Sequence, residues 1–394
     1  MDITLSNRAS NIKPSPTLAV SARAAQLKAE GANIIGLGVG EPDFNTPQHI
    51  AEAAIQALHD GHTRYTPVDG IPSLKTAVAK KLSRDNQLDY ELNQILVSCG
   101  GKQSFFNLVM AYLNPGDEVV IPAPFWVSYP DMVTIADAVP VIVTTDESTR
   151  FKITADQLEQ AITEKTRLVV LNSPSNPTGM AYTRAELERL GEVIKRHPNV
   201  LVATDDMYEH IFWGDEPFCN ILMANPELYD RTVVLNGVSK AYAMTGWRIG
   251  YAAGPAPLIA AMKKIQSQST SNPTSISQHA AQAALDGPQS CVSDMVEAFR
   301  ARHDYVIERL NNIKGISCLE GDGTFYAFFN VKEAISNTDG VSNDVEFAEH
   351  LLQNAGVALV PGSAFGCEGY LRLSFAPSMD TLQDALNRIE ECLS

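Results

Sequence analysis

Short runs of valine, leucine and isoleucine recur through the middle of the chain, each followed by a polar loop and a stretch with helical periodicity. These runs predict strands over residues 94–98, 118–121, 167–172, 200–203 and 232–235. Helices are predicted from about residue 102 to 113 and from 184 to 196. Apolar runs separated by helices are typical of a parallel sheet covered on both faces. The pattern therefore predicts an α/β fold with a mostly parallel central sheet flanked by helices.

The five predicted strands are each followed by residues that can take part in chemistry. In chain order these are Gly100-Gly101-Lys102, Trp126, Asn176, Asp205 and Lys240. Any one of them alone is typical of an ordinary turn. Because parallel strands present their carboxyl ends at one edge of the sheet, where ligands bind, the five together indicate one shared site.

The C-terminal part of the chain has a different pattern. A long amphipathic helix is predicted over residues 292–312, with short strands near 324–331, 357–360 and 370–374 and helices near 344–354 and 381–393. This order predicts a smaller α+β unit, with Gly287-Pro288 as a boundary. We assign residues 46–287 to a large domain. Residues 1–45, with one helix near 18–30, and 288–394 are assigned to a small domain.

Composition narrows the possible partners. The chain has 394 residues, a formal net charge of −16 and 45% hydrophobic residues. A chain of this length usually forms at least two domains. The acidic balance argues against nucleic-acid binding and against a polybasic membrane anchor, since both need a basic surface. Small-molecule substrates are therefore expected, with no nucleic acid and no membrane as partners.

The sequence also predicts where the protein is located in the cell and whether it binds a metal. The N-terminal residues lack the pattern of a signal peptide, and no apolar stretch reaches 18 residues. The six cysteines are scattered without a C-x-x-C pair, which is typical of reduced thiols in a cytoplasmic protein. No metal-binding spacing of His or Cys is present. We expect a cytoplasmic protein without a metal.

The most informative segment is Gly237-Val-Ser-Lys240-Ala-Tyr-Ala-Met-Thr-Gly-Trp-Arg248-Ile-Gly250. A lysine shielded at the end of a strand can lose its proton and form a Schiff base with an aldehyde. Arg248 suits bidentate contact with a phosphate. All 14 positions resemble the lysine-site signature of class I aminotransferases that use pyridoxal 5′-phosphate. The resemblance extends over essentially the whole chain and implies the fold-type I architecture of this family.

The resemblance implies a cofactor role for ten residues. Lys240 is the catalytic lysine, Asp205 pairs with the pyridine nitrogen, and Tyr208 and Asn176 donate to the ring oxygen. Trp126 stacks on the ring. The phosphate is held by the remaining residues, Gly100, Gly101, Lys102 and Arg248, together with Tyr65, which reaches it from the neighbouring subunit. The Tyr65 role implies a homodimer with its active sites at the interface.

Substrate residues are implied in the same way. Alternation in Leu371-Arg372-Leu373-Ser374 places Arg372 and Ser374 on one strand face. Arg372 resembles the arginine that binds the substrate α-carboxylate, and its alternative is a solvent-exposed charge at a strand edge. Gly40 resembles the glycine beside that carboxylate, with Trp126 and Asn176 also in contact. Lys13, Ser15, Thr17 and Lys102 are candidates for a second carboxylate; Lys102 has phosphate neutralisation as its competing role.

The predicted activity is ping-pong transamination of L-aspartate with 2-oxoglutarate, giving oxaloacetate. The resembled bacterial aspartate aminotransferase subgroup includes members that also convert prephenate to arogenate. Two enzymatic alternatives remain open at this point: an aromatic-amino-acid aminotransferase and a β-lyase of sulfur amino acids, since the cofactor serves each reaction. A cofactor-sensing regulatory domain is the non-enzymatic alternative, which the acidic charge opposes.

Overall fold

The computed structural model of the protein describes residues 3–394. Within that part of the chain, none of the helices has the length and apolar character that crossing a membrane requires. The α-helices are α1 (Asn7–Asn11), α2 (Pro16–Ala29), α3 (Gln48–His59), α4 (Pro72–Asn86), α5 (Gly101–Tyr112), α6 (Ser128–Ile135), α7 (Ala155–Ala161), α8 (Arg184–Arg196), α9 (Ile221–Ala224), α10 (Ala256–Ser267), α11 (Ser275–Asp286), α12 (Ser290–Asn312), α13 (Lys332–Asn337), α14 (Asp344–Asn354) and α15 (Met379–Leu393).

The strands form three sheets of very different size. They are β1 (Ile35–Gly36), β2 (Ile95–Ser98), β3 (Glu118–Ala123), β4 (Val139–Thr144), β5 (Thr166–Asn172), β6 (Leu201–Asp205), β7 (Thr232–Gly237), β8 (Gly250–Ala253), β9 (Ser317–Cys318), β10 (Tyr326–Asn330), β11 (Val357–Ala358), β12 (Val360–Pro361) and β13 (Tyr370–Ser374). Seven of them make the central sheet, in the order β2-β8-β7-β6-β5-β3-β4.

The central sheet is mostly parallel, as the apolar runs predicted. Strands β7, β6, β5, β3 and β4 pair in parallel, and only β8 runs against its neighbours β2 and β7. The five predicted strands correspond to β2, β3, β5, β6 and β7. Strands β4 and β8 were not among those predicted. The α/β fold class is confirmed.

Helix α8 shows how local sequence covers this sheet. Thr183 caps its first turn, and Glu186 completes a capping box, so the helix begins at Arg184. One face of the helix buries Leu187, Leu190 and Ile194 in the same apolar cluster as strand residues of β5 and β6. The predicted bounds of this helix, 184–196, match the structure.

A second sheet of four strands forms in the C-terminal part, in the order β12-β13-β10-β9 and antiparallel throughout. The two-residue strand β1 pairs in parallel with β11, so the N-terminal segment is joined to this C-terminal part. Helix α12 packs its apolar residues, including Phe299 and Val306, into the cluster beneath the second sheet. The second sheet thus places β10 and β13 beside the carboxyl ends of the central strands.

Candidate active site

A cavity of about 350 Å³ lies where the carboxyl ends of β5 and β6 face the second sheet. It brings together twelve of the residues predicted for the site, from the N-terminal segment, the central strands and β13. These residues are Ser15, Thr17, Gly40, Gly101, Lys102, Trp126, Asn176, Asp205, Tyr208, Lys240, Arg248 and Arg372. The edge predicted from the strand order is therefore where these side chains meet.

Lys240 is one of the residues that line this cavity. Nζ donates a hydrogen bond to the backbone oxygen of Gly40 at 2.6 Å. Burial, aided by the charges of Arg372 and Arg248, lowers the pKa of Lys240 to about 8. A substantial fraction of this amine is neutral near pH 8, so it can act as a nucleophile or a base there.

One end of the cavity is built to bind an anion. Gly101 begins the twelve-residue helix α5, whose first backbone N–H groups carry partial positive charge. Gly100 has a φ of +88°, and a Cβ at this position would lie 2.4 Å from Nη2 of Arg248. Only glycine allows Arg248 to approach the backbone so closely. The ammonium group of Lys102 adds a further charge, and burial, with Arg248, lowers its pKa.

Asp205 supplies a buried carboxylate at the end of β6. Its Oδ2 accepts a hydrogen bond from the Tyr129 hydroxyl at 2.5 Å, and its backbone oxygen accepts one from the Asn172 amide at 2.9 Å. Burial raises the pKa of Asp205, and the Tyr129 hydrogen bond opposes that rise. A cationic group placed against this carboxylate would be stabilised by it.

Arg372 is held in a fixed orientation on β13. Nη1 donates to Oδ1 of Asn176 at 2.8 Å, and Nη2 donates to the backbone oxygen of Gly38 at 2.6 Å. The residue is only 2% exposed, which excludes the alternative of a solvent-exposed charge at a strand edge. Its Nε is buried and has no hydrogen-bond partner among residues 3–394. A buried donor without a partner costs free energy, so this group is suited to an anionic ligand.

These residues fit the pyridoxal 5′-phosphate that the sequence resemblance implies. The start of α5 with Arg248 would hold the phosphate, Asp205 would face the ring nitrogen, and Tyr208 and Asn176 would serve the ring oxygen. Lys240 has the lowered pKa that reaction with the aldehyde requires. The donor set and the glycine at position 100, where a side chain would clash, are the observations that carry this fit.

Three predicted site residues, Tyr65, Lys13 and Gly100, do not line the cavity in the single chain. Tyr65 is 92% exposed. Lys13 is also exposed, and its backbone nitrogen lies 3.4 Å from the Asp131 carboxylate. Gly100 does not line the cavity itself but lies directly beneath Arg248. The roles predicted for Tyr65 and Lys13, like those of the residues that line the cavity, stay predictions.

Several residues that the fold brings to the site were not predicted from the sequence. Tyr326 lines the cavity, and Tyr129 supports Asp205 from behind. Ser239 and Thr245 also line the cavity. Both lie inside the lysine segment 237–250, so their position in that motif could have indicated them. Tyr129 and Tyr326 had no such local signal, because their partners are distant in sequence.

This chain is similar to known proteins of one family. The family model described as "Aminotransferase class I and II" matches residues 32–389. The aspartate/prephenate aminotransferase of Nitrosomonas europaea is 60% identical over 395 aligned positions, covering 99% of this chain and all of the relative. The aspartate aminotransferase of Geobacillus stearothermophilus is 50% identical, with 98% of each chain covered.

Solved structures agree with this similarity. The aspartate aminotransferase of Rhizobium meliloti superposes with a TM-score of 0.96 at 48% identity, covering 100% of this chain and 99% of that one. The Thermus thermophilus aspartate aminotransferase, solved with maleate, superposes with a TM-score of 0.93 at 40% identity, covering 99% and 100% of the two chains.

Proposed function

The chain belongs to the class I and II aminotransferases, a family that uses pyridoxal 5′-phosphate, and we propose that it transfers the amino group of L-aspartate to 2-oxoglutarate. Relatives at 50–60% identity over nearly the full chain bear the names aspartate aminotransferase and aspartate/prephenate aminotransferase. Oxaloacetate and glutamate are the products of the proposed reaction.

The buried guanidinium of Arg372 is the observation that carries this proposal. Two of its nitrogens are fixed by Asn176 and Gly38, and the residue lines the same cavity as Lys240. An amino acid whose carboxylate binds Arg372 is thereby held with its α-carbon in the region of Lys240. Bidentate binding by arginine gives the geometric precision that such positioning needs.

The chain's own residues then have defined roles. Bound pyridoxal phosphate supplies an electron sink for the electrons left at the substrate α-carbon. Lys240, neutral in part near pH 8, takes the proton from that carbon and returns it at the next step as general acid. Asp205 would stabilise a proton at the cofactor's ring nitrogen by its charge, and the hydrogen bond from Tyr129 favours the ionised form of Asp205. The second half-reaction, with the oxo acid, uses the same groups in reverse.

The side-chain carboxylate of aspartate would need further donors in the same cavity. Ser15, Thr17 and Lys102 line the cavity, so each can contribute a donor, and Lys102 also a charge. The Thermus relative was solved with maleate, a dicarboxylate. Lys13 stays a weaker candidate, since it lies outside the cavity.

We propose prephenate as a second substrate. The Nitrosomonas relative and a 51% identical Cereibacter sphaeroides relative are both named for aspartate and prephenate. Prephenate also carries two carboxylates, so the same pair of charged groups would receive it. Arogenate would be the product.

A half-reaction assay tests the proposal. The absorbance of the protein-bound cofactor should change within one turnover on adding aspartate or glutamate, and much less on adding alanine or a cysteine conjugate. Lys240→Ala should lower turnover by at least about 1,000-fold, because it removes both the nucleophile and the base, while exposed Lys264→Ala should not. Pyruvate release from cysteine conjugates without an oxo acid would contradict the proposal.

We propose that the protein works as a homodimer. The aromatic ring of Tyr65 is almost fully exposed in one chain, and the nearby helix α3 also exposes Ile55 and Leu58. A second copy that covers this surface would bring Tyr65 towards the phosphate end of the neighbouring cavity. Each site would then need residues from two chains.

Mixing two inactive variants tests this arrangement. Lys240→Ala and Tyr65→Ala chains should each have little activity alone. A refolded equimolar mixture should regain about a quarter of wild-type activity, because half of the dimers would be mixed and carry one intact site. No recovery in mixed dimers, isolated by means of different affinity tags, would show that Tyr65 acts within its own chain.

The predicted domain division is retained as a proposal. Residues 46–287 contain the whole central sheet and its helices. The pairing of β1 with β11 supports joining residues 1–45 to 288–394 in one smaller unit, of which residues 1 and 2 lie outside the described part. The boundary between the two units would then lie just before helix α12, which begins at Ser290.

A further inference from the structure

Tyr326 has no role assigned by the sequence, yet it contacts three parts of the site. It lies at the start of β10 and is 2% exposed. Its hydroxyl oxygen lies 3.0 Å from the hydroxyl oxygen of Tyr208. Its ring centre lies 4.3 Å from the guanidinium carbon of Arg372. A Cβ at Gly40 would approach its hydroxyl oxygen to 1.7 Å, so the glycine is what leaves room for this phenol.

The contact between the two phenols constrains their hydrogens. Only one of two hydroxyls that share a hydrogen bond donates in it. If Tyr208 donated to Tyr326, its single hydrogen would be used up and none would remain for a cofactor. If Tyr326 donates, the oxygen of Tyr208 is satisfied as an acceptor and its own hydrogen stays available.

The charge distribution favours the second arrangement. The guanidinium of Arg372 lies against the ring of Tyr326 and favours the build-up of negative charge on that phenol, which makes it the better donor. Burial raises the pKa of both tyrosines, so both keep their hydrogens, and Arg372 partly opposes the rise at each of them; the net rise is larger at Tyr208. Tyr326 is thus the more acidic partner of the pair.

We propose that Tyr326 is a positioning residue whose hydroxyl donates to Tyr208 and so directs the Tyr208 hydrogen to the ring oxygen of the cofactor. Its ring has a second part in the same arrangement, since it supports the guanidinium of Arg372 from one face. The inference rests on the proposed function, because it assumes that the cofactor binds beside Tyr208. One side chain would thereby couple the cofactor-tuning phenol to the carboxylate-binding arginine.

The absorbance of the bound cofactor in the holoenzyme, titrated with pH, gives a readout that does not depend on turnover. A hydrogen bond from Tyr208 favours the ionised form of the ring oxygen, and a donor to Tyr208 strengthens that bond. Tyr326→Phe should therefore raise the pH midpoint of the absorbance by roughly 0.5 to 1 unit. Tyr370→Phe removes a tyrosine hydroxyl from the neighbouring strand β13, outside the cavity, and should leave the midpoint unchanged.

A double-mutant cycle separates this role from a general structural one. In the Tyr208→Phe background, Tyr326→Phe should add no further shift, because the hydrogen that it directs is gone. An equal shift in both backgrounds, or no shift in the wild-type background, would overturn the inference. Thermal unfolding of each variant shows whether it is folded, and Tyr326→Phe keeps the volume of the ring.

The hydroxyl and the aromatic ring of Tyr326 should have different effects on KM. Tyr326→Phe keeps the ring beneath Arg372, so KM for aspartate should stay within about threefold. Tyr326→Leu removes the ring as well and should raise KM by roughly tenfold, in addition to shifting the midpoint. A wild-type holoenzyme whose absorbance ignores aspartate would refute the proposed function instead, since the midpoint titration needs no substrate.

Discussion

The hydroxyl oxygen of Tyr129 lies 2.5 Å from Oδ2 of Asp205, and this contact fixes the carboxylate at the end of β6. Tyr129 is itself 1% exposed and packs edge-on against Phe105 and Trp126. A rigid phenol thus supports the one carboxylate that would face the cofactor's ring nitrogen. Burial favours the neutral acid and raises the pKa of Asp205, and the hydrogen bond from Tyr129 opposes that rise.

Tyr129→Phe should weaken cofactor binding. Loss of the hydroxyl raises the pKa of Asp205 further, so the carboxylate binds a protonated ring nitrogen less well. A hydrogen bond to a charged group contributes about 1.5–3 kcal/mol, so the dissociation constant of pyridoxal phosphate should rise about 10- to 100-fold. Quenching of tryptophan fluorescence during cofactor titration measures it. Tyr112→Phe, whose hydroxyl contacts the backbone of Asn199 far from the cavity, is the matched control.

Lys240 should react with acylating reagents at unusually low pH in the cofactor-free protein. Its pKa of about 8 leaves about half of the amine neutral at pH 8, whereas an ordinary lysine is only about 0.4% neutral there. The labelling rate of Lys240, followed by mass spectrometry from pH 6 to 10, should have its midpoint near 8. The exposed Lys264 serves as the internal reference. A Lys240 midpoint near 10 would show that burial does not activate this amine.

Much of this arrangement could be predicted from short stretches of sequence. The strands β2, β3, β5, β6 and β7 and helix α8 follow directly from local apolar periodicity. The positions of Lys240 and Arg248 follow from one continuous motif. The antiparallel direction of β8 could not be predicted, since strand direction depends on the long connection that leads to it and not on its own four residues.

The supporting contacts of the site were also beyond local patterns. Tyr129 and Asp205 are 76 residues apart, and Tyr208 and Tyr326 are 118 apart. Nothing in the residues around Tyr326 distinguishes it from a core tyrosine on a strand. Only the pairing of β10 with β13 places its ring against Arg372.

Arg372→Ala should weaken the binding of dicarboxylates. The change removes the only guanidinium that Asn176 and Gly38 orient, so the loss should be of order 2–4 kcal/mol, or roughly 30- to 1,000-fold in the dissociation constant of maleate. Isothermal titration with maleate measures this without turnover. The dissociation constant of maleate for Arg372→Lys should lie between those of the wild type and Arg372→Ala, because lysine keeps the charge without the planar geometry. Arg309→Ala, which breaks a surface pair with Glu390, should leave maleate binding unchanged.

Lys81→Met should destabilise the fold next to the site. Lys81 is 1% exposed and pairs with Glu209, the residue after Tyr208; Glu209 also accepts hydrogen bonds from Asn86 and Asn236. Burial alone would raise the pKa of Glu209, but Lys81 and His210 outweigh it and hold that pKa at about 2. Removing Lys81 leaves a buried carboxylate uncompensated, which should cost about 3–5 kcal/mol of the free energy of unfolding.

Urea denaturation of Lys81→Met and of the exposed neighbour Lys80→Met measures this loss, and only the former should be strongly destabilised. Adding Glu209→Gln should restore part of the stability, since it removes the unpaired charge. The lowered pKa of Glu209 also predicts a pH dependence. The charge of Glu209 and its pairing with Lys81 stabilise the folded wild type above about pH 4, and this stabilisation is lost as the pH falls towards 2. The difference in the free energy of unfolding between the wild type and Lys81→Met should therefore become smaller over that pH range. A constant difference down to pH 2 would mean that the loss comes from packing of the lysine side chain and not from the charge of Glu209.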